Sequence, residues 1–365
     1  MTWRRRFVSA GLVLALVIAG LAWLSAPDLE AISRSEAADI QAIVDGILTL
    51  QARDAATQHR PLARGTHAKG ICALGQFEVH DVMATVSDRA LATRLARGLY
   101  ATPAKYSATV RFANADSNIN PDDKRDVRAM SFALDPAGSQ PRLDFSTNDR
   151  TTFPINDAHA FATTIKVVTA PSLARGVWGL SFMDKLAFAR TAVLGAEQEH
   201  QRTLPYQRRR YWSTVPFRHG PSDVIKYSAT PCAGNPGGDL RPGDPDALQN
   251  ELVRHLDGDP QMSCFDFGLQ LLDVSAMTYW GRRHDASFWI ENASIAWPES
   301  DAPFHTVGRL TLTAKSQLAP AACEAQHIDV TEHSTPDSAP LGSINRARWR
   351  AEAASRNARL AKPAS

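Results

Sequence analysis

The chain has 365 residues, 44% apolar and 21% charged, with 40 lysines and arginines against 38 acidic residues and a formal net charge of +2. This composition excludes a disordered, collagen-like or coiled-coil chain, and it leaves no basic excess for a dedicated nucleic-acid binder. The length suffices for one large domain or two small ones, and the four cysteines contain no CxxC pair, so zinc-ribbon and thioredoxin-type chemistry have no support.

The N-terminus reads as a membrane-targeting segment. Arg4, Arg5 and Arg6 precede an uncharged apolar run from Phe7 to Ala26. As a helix that run reaches about 30 Å, the thickness of a bilayer core, whereas the apolar part of a cleaved signal spans about 7–15 residues. Leu24 and Pro27 both disfavour cleavage after Ala26. Residues 1–26 are therefore expected to form one N-terminal transmembrane anchor, with the arginines on the cytoplasmic side and the rest of the chain periplasmic or otherwise extracytoplasmic. Disulfides are permitted there, and four cysteines allow three pairings that sequence leaves open. Cys72, in an apolar strand-like run, also reads as a buried small hydrophobe.

Residues 27–60 form a helical lead-in, because Ile40, Ile43, Val44, Ile47 and Leu48 recur at helical spacing between Ser35 and Ala56. Residues 61–365 form the main domain. Short β-like runs occupy Phe77 to His80, Ala108 to Ala113, Met130 to Leu134 and Arg142 to Phe145. The pattern is helical from about Asp157 to Gln201. Strands return at Tyr211 to Phe217, Val224 to Ser228, Cys264 to Leu272, Phe288 to Ala296 and Val307 to Leu312. Cys232 to Asp246 is a Gly/Pro/Asp-rich loop leading into a helix from about Pro245 to Leu256, and the arginine-rich stretch Ser343 to Ala361 is helical. The fold class is α+β, with a sizeable antiparallel sheet or barrel.

Three ordered blocks carry chemistry. The first is Arg64-Gly65-Thr66-His67-Ala68-Lys69-Gly70 followed by Gly75-Gln76-Phe77-Glu78-Val79. The second is Val110-Arg111-Phe112-Ala113 with Arg125-Asp126-Val127-Arg128 and the run to Ala133, and the third is Asn148 with Phe153, Ile155, Asp157 and Phe161. Together they resemble the distal-side segments of haem catalases, in that order and spacing. The stretches Tyr211 to Arg218 and Trp297-Pro298 with Val307-Gly308-Arg309-Leu310 are also similar to that family, so the resemblance runs from about Arg64 to Arg359. It looks like the small catalase-related branch. The resemblance implies an eight-stranded antiparallel β-barrel with flanking helices and haem b held between barrel and helices.

It also implies site roles. His67 would be the acid and base that moves a proton between peroxide oxygens, a task suited to an imidazole, and Asn148 the amide that orients the peroxide. Arg64, Arg111 and Arg359 would neutralise the haem propionates, and Phe153 and Phe161 would wall the pocket. Thr66, where catalases carry Val, matches the relatives that act on fatty-acid hydroperoxides, and its hydroxyl is expected to reach the imidazole. Taken singly, each residue also has a plain reading as a core histidine, a turn asparagine or an ion-pair arginine.

The family pattern breaks on the proximal side. The family's tyrosinate position, four residues after Arg348 and seven before Arg359, holds Glu352, and no tyrosine follows Tyr279. Glu352 is expected either to ligate iron through its carboxylate with Arg348 behind it, or to form a simple helical ion pair with Arg348. Two functions follow. One is a haem-dependent catalase-like protein that decomposes hydrogen peroxide or organic and lipid hydroperoxides outside the cytoplasm, tethered to the membrane by its N-terminal helix. The other is a catalase-fold binding protein without redox activity. No nucleic-acid partner is expected, and the oligomeric state stays open.

Overall fold

The structure, a computed structural model, describes residues 29–138, 140–198, 204–235, 238–258 and 263–361. The expected anchor at residues 1–26 lies outside the described residues, and no described helix is long and apolar enough to cross a membrane.

Among the described residues, nine strands follow in chain order: β1 (Gly70–Val79), β2 (Ala104–Asn114), β3 (Arg128–Leu134), β4 (Leu143–Asn148), β5 (Tyr211–Trp212), β6 (Phe217–His219), β7 (Asp223–Pro231), β8 (Cys264–Leu271) and β9 (Phe304–Gln317). Antiparallel neighbours run β5-β4-β3-β2-β1-β9-β8-β7-β6, and a further β5–β7 pairing closes the ring. The result is an eight-stranded barrel with β6 folded onto β7 as a hairpin, which removes the open edges a sheet would otherwise present.

Strand alternation fills the interior with rings. Phe77, Phe132, Phe145, Tyr227 and Phe267 are all buried, from strands β1, β3, β4, β7 and β8. Phe77 meets Phe145 at 6.3 Å and Phe132 meets Phe267 at 5.8 Å although their strands are not neighbours, contacts available only across a closed interior. The residues between them, Arg111 in β2, Ser131 in β3 and Ser146 in β4, face outward.

The main helices are α1 (Glu36–Thr57), α2 (Ala158–Thr169), α3 (Leu173–Trp178), α4 (Phe182–Gln198), α5 (Ala247–Gly258) and α6 (Ser343–Leu360). The periodicity expected over 35–56 is realised in α1, whose Ile43 and Ile47 pack with Ala158, Ala162 and Ile165 of α2 and Ala347 and Ala351 of α6. Arg346 clamps this bundle to the lead-in. Its guanidinium binds Glu36 at 2.6 Å and Glu291 at 3.1 Å, and also reaches Glu30.

Three expectations are corrected. Phe288 to Ala296 is not a strand but a helical turn, Ala286–Glu291, because the Asp285 carboxylate accepts the Phe288 N–H at 2.9 Å and caps it. A three-residue apolar run does not by itself separate strand from helix. Tyr211 to Phe217 is two short strands rather than one, broken where Thr214 takes φ +58° in the left-handed region. Cys72 is not a free buried hydrophobe: it pairs with Cys323, and Cys232 pairs with Cys264.

Candidate functional site

Barrel and bundle enclose a cavity of about 380 Å³, within the usual size range of small-molecule sites. Its floor is a cross-strand row on the barrel's outer face. Cys72 lies opposite Arg111, Arg111 opposite Ser131 and Ser131 opposite Ser146, so one ladder of directly opposed residues crosses four strands. Directly opposed residues share a face, and the serines leave that face flat. Phe153 and Phe161, with ring centroids 6.1 Å apart, and Ile47 and Ile344 form apolar wall. From α6 come Arg348, Ala351, Glu352, Ser355, Arg356 and Arg359, which recur at helical spacing and so lie along one face.

His67 sits at the mouth of β1 on a backbone with φ +59°. Its N–H donates to the Ala115 carbonyl at 3.0 Å, and its carbonyl accepts from Arg111 Nη2 at 2.9 Å, so two bonds to the β2 region hold the left-handed turn. Two glycines make this packing feasible. A Cβ on Gly65 would approach Ile47 to 2.8 Å and Ser355 Oγ to 2.9 Å, and one on Gly70 would meet the Arg111 guanidinium carbon at 2.7 Å. Gly65 instead donates its N–H to Ser355 Oγ at 2.9 Å, and Gln51 on α1 donates to the Ala63 carbonyl, which seats the loop against both helices.

Burial, reinforced by the charges of Arg111, Arg348 and Arg64, holds the His67 imidazole down to about 3. The ring is therefore neutral at physiological pH, and its Nδ1 is buried without a hydrogen-bond partner. Thr66, whose hydroxyl was expected to reach the imidazole, makes no bond to Nδ1 and is exposed on the cavity rim. Burial and the neighbouring Arg111 likewise lower Arg64 to about 10, against the opposing pull of Glu324. On α6, burial pushes the Glu352 carboxyl up to about 7 with Asp329 adding to the shift, while Arg348, 3.4 Å away, opposes it.

The structure thus brings together Arg64, Thr66, His67, Arg111, Phe153, Phe161, Arg348, Glu352 and Arg359. It does not bring Asn148 to the cavity wall. That residue ends β4 opposite Trp212, and its side-chain oxygen accepts the Arg150 N–H at 3.0 Å as a local turn bond. Sequence reasoning missed Glu324, His327, Asp329 and Arg356. Arg356 Nη1 contacts His327 Nδ1 at 2.8 Å and Glu332 at 3.2 Å. Helical spacing from Arg348, Glu352 and Arg359 would have found Arg356, whereas the segment around His327 carries no periodic signal.

A barrel of this topology, with its cavity between the outer barrel face and the C-terminal helix, defines a catalase-type fold. Among solved structures, the chain is similar to a fungal catalase (15% identity, TM-score 0.61, covering 85% of this chain and 61% of that one). It is also similar to catalase A from Saccharomyces cerevisiae (15% identity, TM-score 0.59, covering 85% of this chain and 63% of that one). The match therefore spans less than two thirds of either catalase. The catalase family model matches residues 33–173, a segment that includes His67, Arg111 and Phe161 and stops before α6. No curated protein matches the sequence. The segment match and the shared fold thus make the chain similar to the catalase superfamily over residues 33–173 and in its overall fold.

The residues present fit the haem that this superfamily normally binds. Arg64 Nε, Arg111 Nε, Arg359 Nε and Arg348 Nη1 are buried at the cavity without hydrogen-bond partners, which suits a ligand carrying acid groups. The serine floor and apolar walls suit a flat apolar body, and Glu352 offers a carboxylate oxygen from α6.

Proposed function

We propose that the chain is a haem-dependent, catalase-like protein that consumes hydrogen peroxide or organic hydroperoxides outside the cytoplasm. The observation that carries this reading is the neutral, partnerless His67 imidazole in a cavity lined by arginines with unanswered N–H groups. Arg64, Arg111 and Arg359 would hold the acid groups of haem, and Glu352 with Arg348 would face it from α6. Haem, when bound, supplies an iron centre that polarises the peroxide O–O bond.

His67 then handles the proton. Its unprotonated nitrogen accepts the proton of the near peroxide oxygen and returns it to the leaving oxygen, so that water or an alcohol departs. Burial, and after it the surrounding guanidinium charge, disfavours the imidazolium, and acid groups docked on the arginines would relieve the charge repulsion. Thr66 on the rim leaves room for a bulkier hydroperoxide. Two disulfides support an oxidising compartment, and the apolar run at residues 7–26 supports a membrane tether.

The full chain, isolated from haem-supplied cells, is tested by absorption spectrum, haem content and hydroperoxide turnover. His67→Ala is expected to lower turnover by about 10²–10⁴-fold while leaving the haem spectrum in place, and unchanged turnover overturns the assignment. A second reading, a catalase-fold binding protein without redox activity, is favoured by the Arg348–Glu352 ion pair at the tyrosinate position. A folded, colourless protein that rejects added haemin would select it.

A further inference from the structure

Three arginines of the cavity meet a carboxylate that belongs to the chain itself. Glu324 Oε1 lies 3.5 Å from Arg111 Nη2, and Oε2 lies 3.6 Å from both Arg64 Nε and Arg359 Nη1. Close charge-assisted bonds are about 2.7–2.9 Å, so this one carboxylate is shared among three guanidinium groups and forks onto none. The other bonds of the trio go to carbonyl oxygens. Arg64 Nη2 donates to Glu324 and Gln326, Arg359 Nη1 to Glu324 and Arg111 Nη2 to His67. All three Nε atoms remain buried without a hydrogen bond.

Glu324 is held there covalently through its neighbour. It ends the helical turn Pro320–Glu324, whose Cys323 is 3% exposed and is joined to the fully buried Cys72 of β1. Cys72 stands opposite Arg111 in the cross-strand row. The disulfide therefore delivers a carboxylate to the end of the row from which Arg111 projects. Among the described residues, three positive charges meet one carboxylate within ion-pair distance, and its side chain keeps 41% of its surface accessible, so it can yield its place.

We propose that Glu324 is the resident counter-ion of the Arg64–Arg111–Arg359 trio, competes with the acid groups of the cavity's ligand and so sets the affinity for ligands by their carboxylate count. Where the ligand is haem, this rests on the function proposed above. The counter-ion role itself concerns any anion that reaches the trio.

The test compares the full chain with Glu324→Gln and Glu324→Asp. Each is titrated spectroscopically with haemin, which bears two carboxylates, and with haemin dimethyl ester, which bears none. Thermal unfolding is recorded with and without inorganic pyrophosphate. Glu324→Gln is expected to bind haemin at least about tenfold more tightly, to bind the ester within about twofold of the parent, and to gain more stability from pyrophosphate. Glu324→Asp should restore the parent's discrimination. Equal haemin affinity in parent and Glu324→Gln, or a parallel shift for the ester, overturns the proposal. If neither haemin nor ester binds any of the three proteins, the haem reading fails and pyrophosphate decides. Greater stabilisation of Glu324→Gln than of the parent upholds the counter-ion, and equal stabilisation overturns it.

Discussion

The neutral His67 predicts a specific loss of stability in acid. An unfolded histidine takes up its proton near 6.5, whereas burial and three guanidinium groups hold folded His67 down to about 3. Between these values the unfolded chain binds more protons than the folded one, so stability rises with pH, is complete above about 6.5 and declines as pH falls towards 3. The cost attributable to this one ring is about 1 kcal/mol at pH 5.5 and about 3 kcal/mol at pH 4.5. The perturbation is His67→Asn, since asparagine tolerates the left-handed backbone found at φ +59°. Urea unfolding of both proteins is followed from pH 7.5 to 4.5. The other ten histidines occur in both, so their contributions cancel in the difference. The variant should gain on the parent as pH falls, by about 3 kcal/mol at the acid end. A difference that stays flat across that range would refute a neutral, arginine-surrounded imidazole and with it the proton role assigned to His67.

Three further outcomes are expected. Replacing Cys72 and Cys323 together by alanine opens a loop spanning 251 residues and should cost about 5 kcal/mol, against about 4 kcal/mol for the 32-residue Cys232–Cys264 link; a reversed order in urea unfolding would contradict the loop-entropy account. Lys226 is 3% exposed, has its ammonium 4.9 Å from the Trp297 ring centre and is lowered by burial to about 7. Its unfolded form holds the proton up to about 10.5, so Lys226→Met should stabilise by up to about 4 kcal/mol at pH 7, with the gain fading towards pH 10.5; a pH-independent difference would show that the amine is solvated. Glu352→Tyr places a phenol beside Arg348 at the cavity wall, and haem retained through gel filtration should rise with a shifted spectrum; an unchanged spectrum would mean that residue 352 does not face the bound group.

Much of this molecule is written in local pattern. Helix α1 follows from five apolar residues at helical spacing, and the strands around Val110–Phe112 and Met130–Leu134 follow from alternation, because period alone fixes which side of an element is buried. The motif around His67 and the arginines of α6 was legible for the same reason, since each lies within one short, ordered segment. Asn148 was not, because an amide at the end of a strand can serve either the cavity or a neighbouring N–H, and its oxygen accepts the Arg150 N–H at 3.0 Å.

What tertiary structure decided is where distant segments meet. Barrel closure depends on Tyr211–Trp212 pairing with both β4 and β7, a choice that two residues cannot announce. Sequence allowed three cysteine pairings, and the packing of β1 against the helical turn that follows β9 selects Cys72–Cys323 across 251 positions. Glu324, silent in the sequence, becomes part of the site only because that link carries it to Arg64, Arg111 and Arg359. Local propensity acts over a few residues, whereas the charges and orphaned donors of this cavity are set by neighbours hundreds of residues apart, and only the folded chain brings those into Coulomb range.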